Sequence, residues 1–261
     1  MRMLSATELL GVWERGRVQG PIEQALLLLA TACPDTPIDE LARLSIGTRD
    51  HALLTLREWT FGRAIVSVTN CAQCGEQLEL EFDAAGLCPE SGSVIAVSAE
   101  QPVAEHTYHL DTEGYSVRFR CANSHDLTAL TASIHSIAET RNNHLRGRTL
   151  LLERCILTAQ RDGVRVSVSA LPDKVVDTIA SRMAEADPYA DLQLAASCPT
   201  CGNQWHAMFD AVTYFWSEID SWARCLLHDV HLLARAYGWR EEDVLNLSPL
   251  RRQCYLDMVA A

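Results

Sequence analysis

Two cysteine pairs are the residues of this chain whose type and spacing could do chemistry. "CAQCGEQLELEFDA" runs from Cys71 to Ala84, and "CPTCGNQWHAMFDA" runs from Cys198 to Ala211. Each copy is Cys-x-x-Cys-Gly-x-Gln with Phe-Asp-Ala at the same offset behind it. Two thiolates on a tight turn can fill two of the four tetrahedral positions that Zn²⁺ requires, and the glycine that follows permits the backbone conformation such a turn needs. One pair is half a site. Two hairpins of equal design complete a Cys₄ site if they lie side by side, so Cys71, Cys74, Cys198 and Cys201 are expected to hold one structural zinc ion. Four sulfurs leave no open position for water, so such an ion would hold structure and hydrolyse nothing. It would also fix the ends of the long segment between the pairs. Closing that loop costs about 4 kcal/mol by the logarithmic law, against roughly 10–16 kcal/mol of apparent binding for structural zinc in small peptides.

Redox chemistry competes with this reading, because a Cys-x-x-Cys turn at a helix N-terminus lowers a thiol pKa and serves disulfide exchange. Here the pairs sit in hairpin turns rather than at a helix start. Two independent metal sites are a further alternative. Chance burial does not account for a duplicated Cys-x-x-Cys-Gly-x-Gln with Phe-Asp-Ala at a matching offset.

Other constellations are weaker. His228 and His231 flank Asp229 in "HDVH" but lack an obvious third ligand, and ordinary histidines on a helix face are the simpler reading. Ser124, His125 and Asp126 spell a triad only on paper, since sequence neighbours at a helix start cannot form the relay; Ser124 reads as an N-cap. No phosphate loop, nucleophile elbow or metalloprotease motif occurs. No catalytic residue is expected, and the chain reads as a non-enzyme.

The elements that must position the cysteines follow from periodicity. The opening section, 1–62, reads as short helices punctuated by a Ser5/Glu8 capping box, by Pro21 and Pro37 in first turns, and by Gly47 and Gly62 as stops. The period then changes from 3.6 to 2. "AIVSVTN" and "EQLELEF" predict a first knuckle hairpin within 63–90, and "DLQLAAS" and "NQWHAMF" a second within 190–212. Between them, 91–189 reads as an α+β insertion. It has strand candidates "SVIAVSA" and "YSVRFR", helices near Ser124 to Ala138 and Leu145 to Gln160, an Asp162-Gly163 turn into "VRVSVSA", and a helix from about Pro172. In 213–261, Ile219, Trp222, Leu226, Val230, Leu233 and Tyr237 mark one long helix that Gly238 ends, and Ser248-Pro249 opens a last one. The expected fold is therefore α+β: helical terminal sections around a two-hairpin, zinc-ribbon-like centre that carries an insertion.

Charge narrows the function classes. The 261 residues carry a net charge of −12, which repels phosphate backbones and argues against nucleic acid as a partner. A zinc-ribbon module that contacts nucleic acid, or a regulatory adaptor, is the alternative function, but Glu76, Glu79, Glu81, Asp83, Asp191 and Asp210 surround the knuckles. No apolar run is long enough to span a membrane and no export signal is visible, so synthesis in a reducing cytoplasm is expected, with Cys33, Cys88, Cys121, Cys155, Cys225 and Cys254 as small core residues. Arg251 and Arg252 open the last helix, where the helix dipole disfavours cations. They are either solvated or reserved for a partner's carboxylates. With Tyr255 beside them they form a candidate partner-binding set.

Three stretches carry a family resemblance. "GTRDHALLTLREWTFG", "LPDKVVDTIASRMAEADPYADLQLAASCPTCG" and "LLARAYGWREEDVLNLSPLRRQCYLDMV" together resemble the T4-type baseplate hub assembly proteins of contractile-tailed phages and related injection particles. The matching positions are Arg49, Asp50, Leu54, Arg57, Phe61 and Gly62 before the first knuckle, and Tyr237, Gly238, Trp239, Arg251, Arg252 and Tyr255 at the far end. The resemblance implies a non-enzymatic protein of the tail baseplate, retained in the hub or acting while it assembles, with hub, spike or wedge proteins as partners and incorporation into the particle possible.

Overall fold

The computed structural model describes residues 1–83, 106–135 and 143–260. Four helices lead: α1 (Ala6–Gly16), α2 (Pro21–Ala32), α3 (Ile38–Arg43) and α4 (Ile46–Phe61). Ser5 and Glu8 close the expected capping box, with Glu8 N–H donating to Ser5 Oγ at 3.3 Å and Ser5 N–H to Glu8 Oε2 at 2.9 Å. Gly62 ends α4 with φ 93°, a backbone that favours glycine. Far along the chain, α8 (Ala211–Tyr237) returns to these helices, and Phe215, Ile219 and Ala223 join Val12, Leu28, Leu53 and Leu56 in one core. The two ends of the chain thus bury their apolar faces against each other.

Gly47 is not a stop. It lies in the first turn of α4, which Ser45 caps and where the Asp187 carboxylate accepts the Gly47 N–H at 2.9 Å and the Ser45 hydroxyl at 2.7 Å. A Cβ on Gly47 would stand 2.3 Å from Asp187 Oδ1, so the glycine serves close approach and not helix termination.

Two short ribbons follow. β1 (Ala64–Asn70) pairs antiparallel with β2 (Gln77–Asp83), from Ala64 opposite Asp83 to Asn70 opposite Gln77. Later, β7 (Gln193–Ser197) pairs with β8 (Gln204–Met208), from Gln193 opposite Met208 to Ser197 opposite Gln204.

Between the ribbons stands a four-stranded antiparallel sheet in chain order: β3 (Thr107–Thr112), β4 (Tyr115–Arg120), β5 (Ile156–Arg161) and β6 (Val164–Arg165). With α5 (Ser124–His135), α6 (Asn143–Cys155) and α7 (Asp173–Ala186) it builds a second core around Val117, Phe119, Ile156, Val175 and Ile179. The helix expected through Gln160 stops at Cys155. Its remainder, "ILTAQR", is β5, because pairing with β4 buries Ile156 and Ala159 and leads into the left-handed Asp162-Gly163 turn, φ 50° and 77°. β6 is only two residues long, and "VSA" of the expected strand is a 3₁₀ turn. Periodicity gave no sign of β3, and "SVIAVSA" lies outside the described residues.

Gly238, φ 71°, ends α8 as expected, and α9 (Glu241–Leu245) and α10 (Pro249–Ala260) complete the chain. α10 buries no residue. Cys33 and Cys155 are core residues and Cys121 is half-buried, but Cys225 and Cys254 are exposed, because their positions on α8 and α10 fall away from the apolar stripe; Cys88 lies outside the described residues. No helix among the described residues is long and apolar enough to cross a membrane.

Candidate metal centre

The turns joining β1 to β2 and β7 to β8 have the same internal wiring. Cys71 N–H donates to Glu76 O at 2.8 Å and Gly75 N–H to Cys71 O at 2.9 Å; Cys198 N–H donates to Asn203 O at 2.8 Å and Gly202 N–H to Cys198 O at 2.9 Å. Gly75 and Gly202 both sit in the left-handed region, at φ 76° and 72°. Such a turn aims consecutive backbone N–H groups at the first cysteine. Those of Cys74 and Gln73 reach Cys71 Sγ, and those of Cys201 and Thr200 reach Cys198 Sγ.

The two turns face each other. Cys71 Sγ lies 3.6 Å from Cys201 Sγ, Cys74 Sγ lies 3.5 Å from Cys198 Sγ, and all four sulfurs fall within 4.8 Å of one another. Tetrahedral zinc with Zn–S near 2.3 Å separates its sulfurs by about 3.8 Å, so the observed spacing fits a shared ion with minor adjustment. Asn203 Nδ2 also approaches Cys71 Sγ, at 3.9 Å, from the opposite knuckle. Cys71 and Cys198 are 2% exposed and pack with Leu78 and Trp205, while Cys74 and Cys201 face solvent.

The electrostatics of the four thiols divide them. The N–H of Cys74 is the main influence holding Cys71 below the usual thiol range; for Cys198 burial opposes, and the N–H groups of Cys201 and Thr200 prevail. Cys74 and Cys201 each accept one N–H, from Glu76 and Asn203, which favours their thiolates, yet desolvation and hydrogen bonding to Cys71 and Cys198 push both thiols up. Cys74 and Cys201 therefore hold their protons more tightly than ordinary thiols when no cation is present, while Cys71 and Cys198 give theirs up more readily. A divalent ion that prefers soft ligands would displace those protons, and zinc suits the donor set. Among the described residues this is the one group of metal-type ligands that lies close enough to hold an ion.

The Phe-Asp-Ala part of the repeat positions the turns. Phe82 and Phe209 meet edge to face beneath them, with Ile65, Leu54, Tyr189 and Leu192 around. Asp210 caps α8, accepting from Val212 N–H at 3.0 Å and Thr213 N–H at 3.1 Å. From the first turn of that helix the Tyr214 hydroxyl both donates to Val66 O at 3.0 Å and accepts from Val66 N–H at 3.2 Å, fastening β1. Buried Arg57 grips Glu218 with two bonds, of 2.9 and 2.6 Å, and also reaches Gly62 O and Ala64 O, both at 2.7 Å. It locks α4, the entry to β1 and α8 together, a role that spacing alone did not reveal.

The remaining candidates go elsewhere. Arg49 bonds Asp50 and the Ser124 hydroxyl. His125 pairs with Asp39, and buried Asp126 takes Arg120 and Arg154, so Ser124, His125 and Asp126 share no partner and form no relay. Asn123, not Ser124, caps α5: its Oδ1 accepts from Asp126 N–H while Asp126 accepts from Asn123 N–H, both at 3.1 Å. His228 and His231 are exposed on α8, and Asp229 between them pairs with Arg252 at 3.1 Å. Tyr255 stacks edge-on against Trp239, which in turn stacks on Tyr237, whereas Arg251 points to solvent.

Fold and site together define an α+β protein in which two matching cysteine knuckles, drawn from distant parts of the chain, are clamped between helices. Residues 5–216 match the family model described as "T4 bacteriophage base plate protein". The chain belongs to this family of T4-type phage baseplate proteins. The match takes in α1 through the first turns of α8, including both knuckles, while α9 and α10 lie beyond it. No curated protein matched the chain, and no solved structure did.

Proposed function

We propose that this chain is a non-enzymatic structural or assembly component of the baseplate hub in a contractile tail or injection system, stapled by one zinc ion on Cys71, Cys74, Cys198 and Cys201. The observation that carries the reading is the closed set of four sulfurs: its two halves come from chain segments that flank the whole insertion, and it offers a metal no vacant position. Its chemistry is that of a fastener. Membership of the baseplate family supplies the setting, and hub, spike or wedge proteins are the partners this reading names. Synthesis in the cytoplasm of the producing cell, followed by incorporation in the particle, fits a thiol-rich chain kept reduced until it is metallated. Arg251, Arg252 and Tyr255 form the partner-binding set, with Arg252 and Tyr255 holding α10 against α8 and Arg251 free to meet a carboxylate. The nucleic-acid or adaptor alternative is disfavoured by Glu79 and Glu81 on the outer face of the first hairpin.

Co-expression of the chain with the hub, spike and wedge proteins of its own gene cluster, followed by affinity capture, tests the assignment. Co-purification of a metallated chain with a hub or spike protein supports it. Capture with wedge proteins alone would relocate the chain within the baseplate, and capture of nucleic acid would favour the alternative. Turnover in an insulin-reduction assay by the metallated protein would overturn the non-enzymatic reading.

A further inference from the structure

The knuckle sulfurs touch across the two turns. Cys71 Sγ meets Cys201 Sγ at 3.6 Å and Cys74 Sγ meets Cys198 Sγ at 3.5 Å, within a set that spans 4.8 Å. Each of these contacts joins an exposed sulfur to a buried one, since Cys74 and Cys201 face solvent whereas Cys71 and Cys198 are 2% exposed. A dissolved oxidant therefore reaches one member of each contact and finds the second directly behind it. The partners are 130 and 124 residues apart in the chain, and the Phe82–Phe209 contact already holds their hairpins together. The fold has thus closed both loops in advance, and a bond between these sulfurs costs no further closure entropy.

We propose that the knuckles are also an oxidation-driven clasp: hydrogen peroxide converts the four thiols into two disulfides, Cys71–Cys201 and Cys74–Cys198, which replace the metal as the join between the segments flanking the insertion. The inference rests on the reading of the four cysteines as one shared site and adds its response to oxidant. At each contact peroxide oxidises the exposed thiol to a sulfenic acid and releases one water. The buried sulfur then attacks that sulfur, the S–S bond forms, and the departing hydroxide leaves as water with the buried thiol's proton. Two peroxides and four thiols thus yield two disulfides and four waters. Bringing each contact to the bonded distance near 2.05 Å moves its sulfurs together by about 1.5 Å.

The rival product is a disulfide inside each Cys-x-x-Cys turn, which would leave the two hairpins unjoined. In an unfolded chain that pairing wins, because partners three residues apart meet far more often than partners separated by the whole insertion. In the folded chain the sulfur contacts run across the knuckles, and the backbone hydrogen bonds of each turn, Cys71 N–H to Glu76 O and Cys198 N–H to Asn203 O, need not break for the bridges to form. A chain made in a reducing cytoplasm and carried out in a particle would meet oxidant only after assembly. The clasp would then close on a structure already built.

Treating the full chain, as purified, with hydrogen peroxide in the presence of a chelator tests this. Free thiols are then alkylated, and cleavage after Arg, Lys and Glu places Cys71 and Cys74 in fragment 64–76 and Cys198 and Cys201 in fragment 186–218. Mass spectrometry is expected to find the two fragments joined, with tandem fragmentation assigning Cys71–Cys201 and Cys74–Cys198. The same treatment in urea is expected to give separate fragments, each with an internal disulfide. The oxidised chain in chelator should melt above the reduced chain in chelator, and dithiothreitol should remove the difference. Internal disulfides in the folded chain, joined fragments in the opposite register, sulfinic acids without bridges, or an oxidised chain that melts no higher would each overturn the proposal. Elemental analysis before oxidation keeps the metal assignment separate. One zinc per chain with internal disulfides sinks the clasp and leaves the metal site standing, whereas no zinc with joined fragments sinks the metal assignment and leaves the clasp.

Discussion

Phe82 and Phe209, the aromatic residues at the same offset in the two cysteine repeats, pack edge to face with ring centroids 5.4 Å apart and planes at 89°. The pair ties the two hairpins at their bases while the four cysteines gather at their tips. Phe209→Ala is expected to cost about 3 kcal/mol, and Phe82→Ala less because that ring is only half-buried. Denaturant unfolding of the two single variants and the double should return a coupling of about 1 kcal/mol. Additive losses would mean that the contact does not join the hairpins energetically.

Metal content provides the second expectation. Elemental analysis of protein prepared without chelator should give one zinc per chain, since each knuckle offers two of the four sulfurs. Cys71→Ser and Cys198→Ser should lower the melting temperature to a similar degree, with the double variant little worse, because either change opens the same site. Two ions per chain, or strictly additive losses, would instead indicate independent sites.

Gly47→Ala should destabilise the protein by about 1–3 kcal/mol, the usual range for an overpacked position. The added methyl collides with Asp187 Oδ1 and with the backbone nitrogen of Ala190, 2.8 Å away, and pushes the carboxylate off the start of α4. Thermal unfolding measures it, and an unchanged melting temperature would show that the segment carrying Asp187 yields freely.

Two buried carboxylates should leave opposite marks on the pH dependence of stability. Burial raises the pKa of Asp187, against the hydrogen bonds from Gly47, Ser45 and Thr48. The folded state therefore holds its proton more tightly than the unfolded chain, and this contribution is present below the ordinary carboxylate range and lost as pH rises through the raised value. For Asp126 burial also raises the pKa, but Arg120, the Asn123 N–H and Arg154 outweigh it and the net shift is downward. Its contribution is present above the ordinary range and lost as pH falls through the lowered value. Asp187→Asn should thus flatten the decline of stability from mildly acidic to neutral pH. Asp126→Asn should flatten the acid limb and cost on the order of 3 kcal/mol at neutral pH, where two arginines lose their partner. Urea unfolding across about pH 3 to 7 separates the two, and shifts of the same sign would contradict the assignment.

Removing the residues from Ser248 onward, which carry α10, should leave a folded, metallated protein that no longer captures baseplate partners, because that helix buries nothing. Arg251→Glu is the finer probe. It should weaken association more at low salt than at high salt, since screening already weakens an attraction between charges. Arg252→Glu should in addition loosen α10 itself, by setting a carboxylate against Asp229. Loss of folding on truncation would make α10 part of the core, and undiminished capture would move the interface elsewhere.

Much of this architecture was legible in the residues because its causes are local. A Cys-x-x-Cys-Gly turn sets its own backbone, a serine with a glutamate three residues on closes its own cap, and the apolar stripe from Ile219 to Leu233 needs only helical spacing to be read. What escaped depended on partners far away in the chain. Gly47 looks like a helix stop until Asp187 arrives from the other side of the insertion to occupy the place of its missing side chain. Ile156 continues a helical pattern until β4 offers it a ladder, and β3 has too little alternation to declare itself without the same sheet. Arg57 gives no hint that it will bridge Glu218 and three backbone carbonyls. The sequence by itself determined the two knuckle turns and most of the helices, since their hydrogen bonds close within a few residues. Only the tertiary structure decided that Cys71 lies against Cys201 and Cys74 against Cys198, because that depends on α4, α8 and the Phe82–Phe209 contact holding distant segments at one distance.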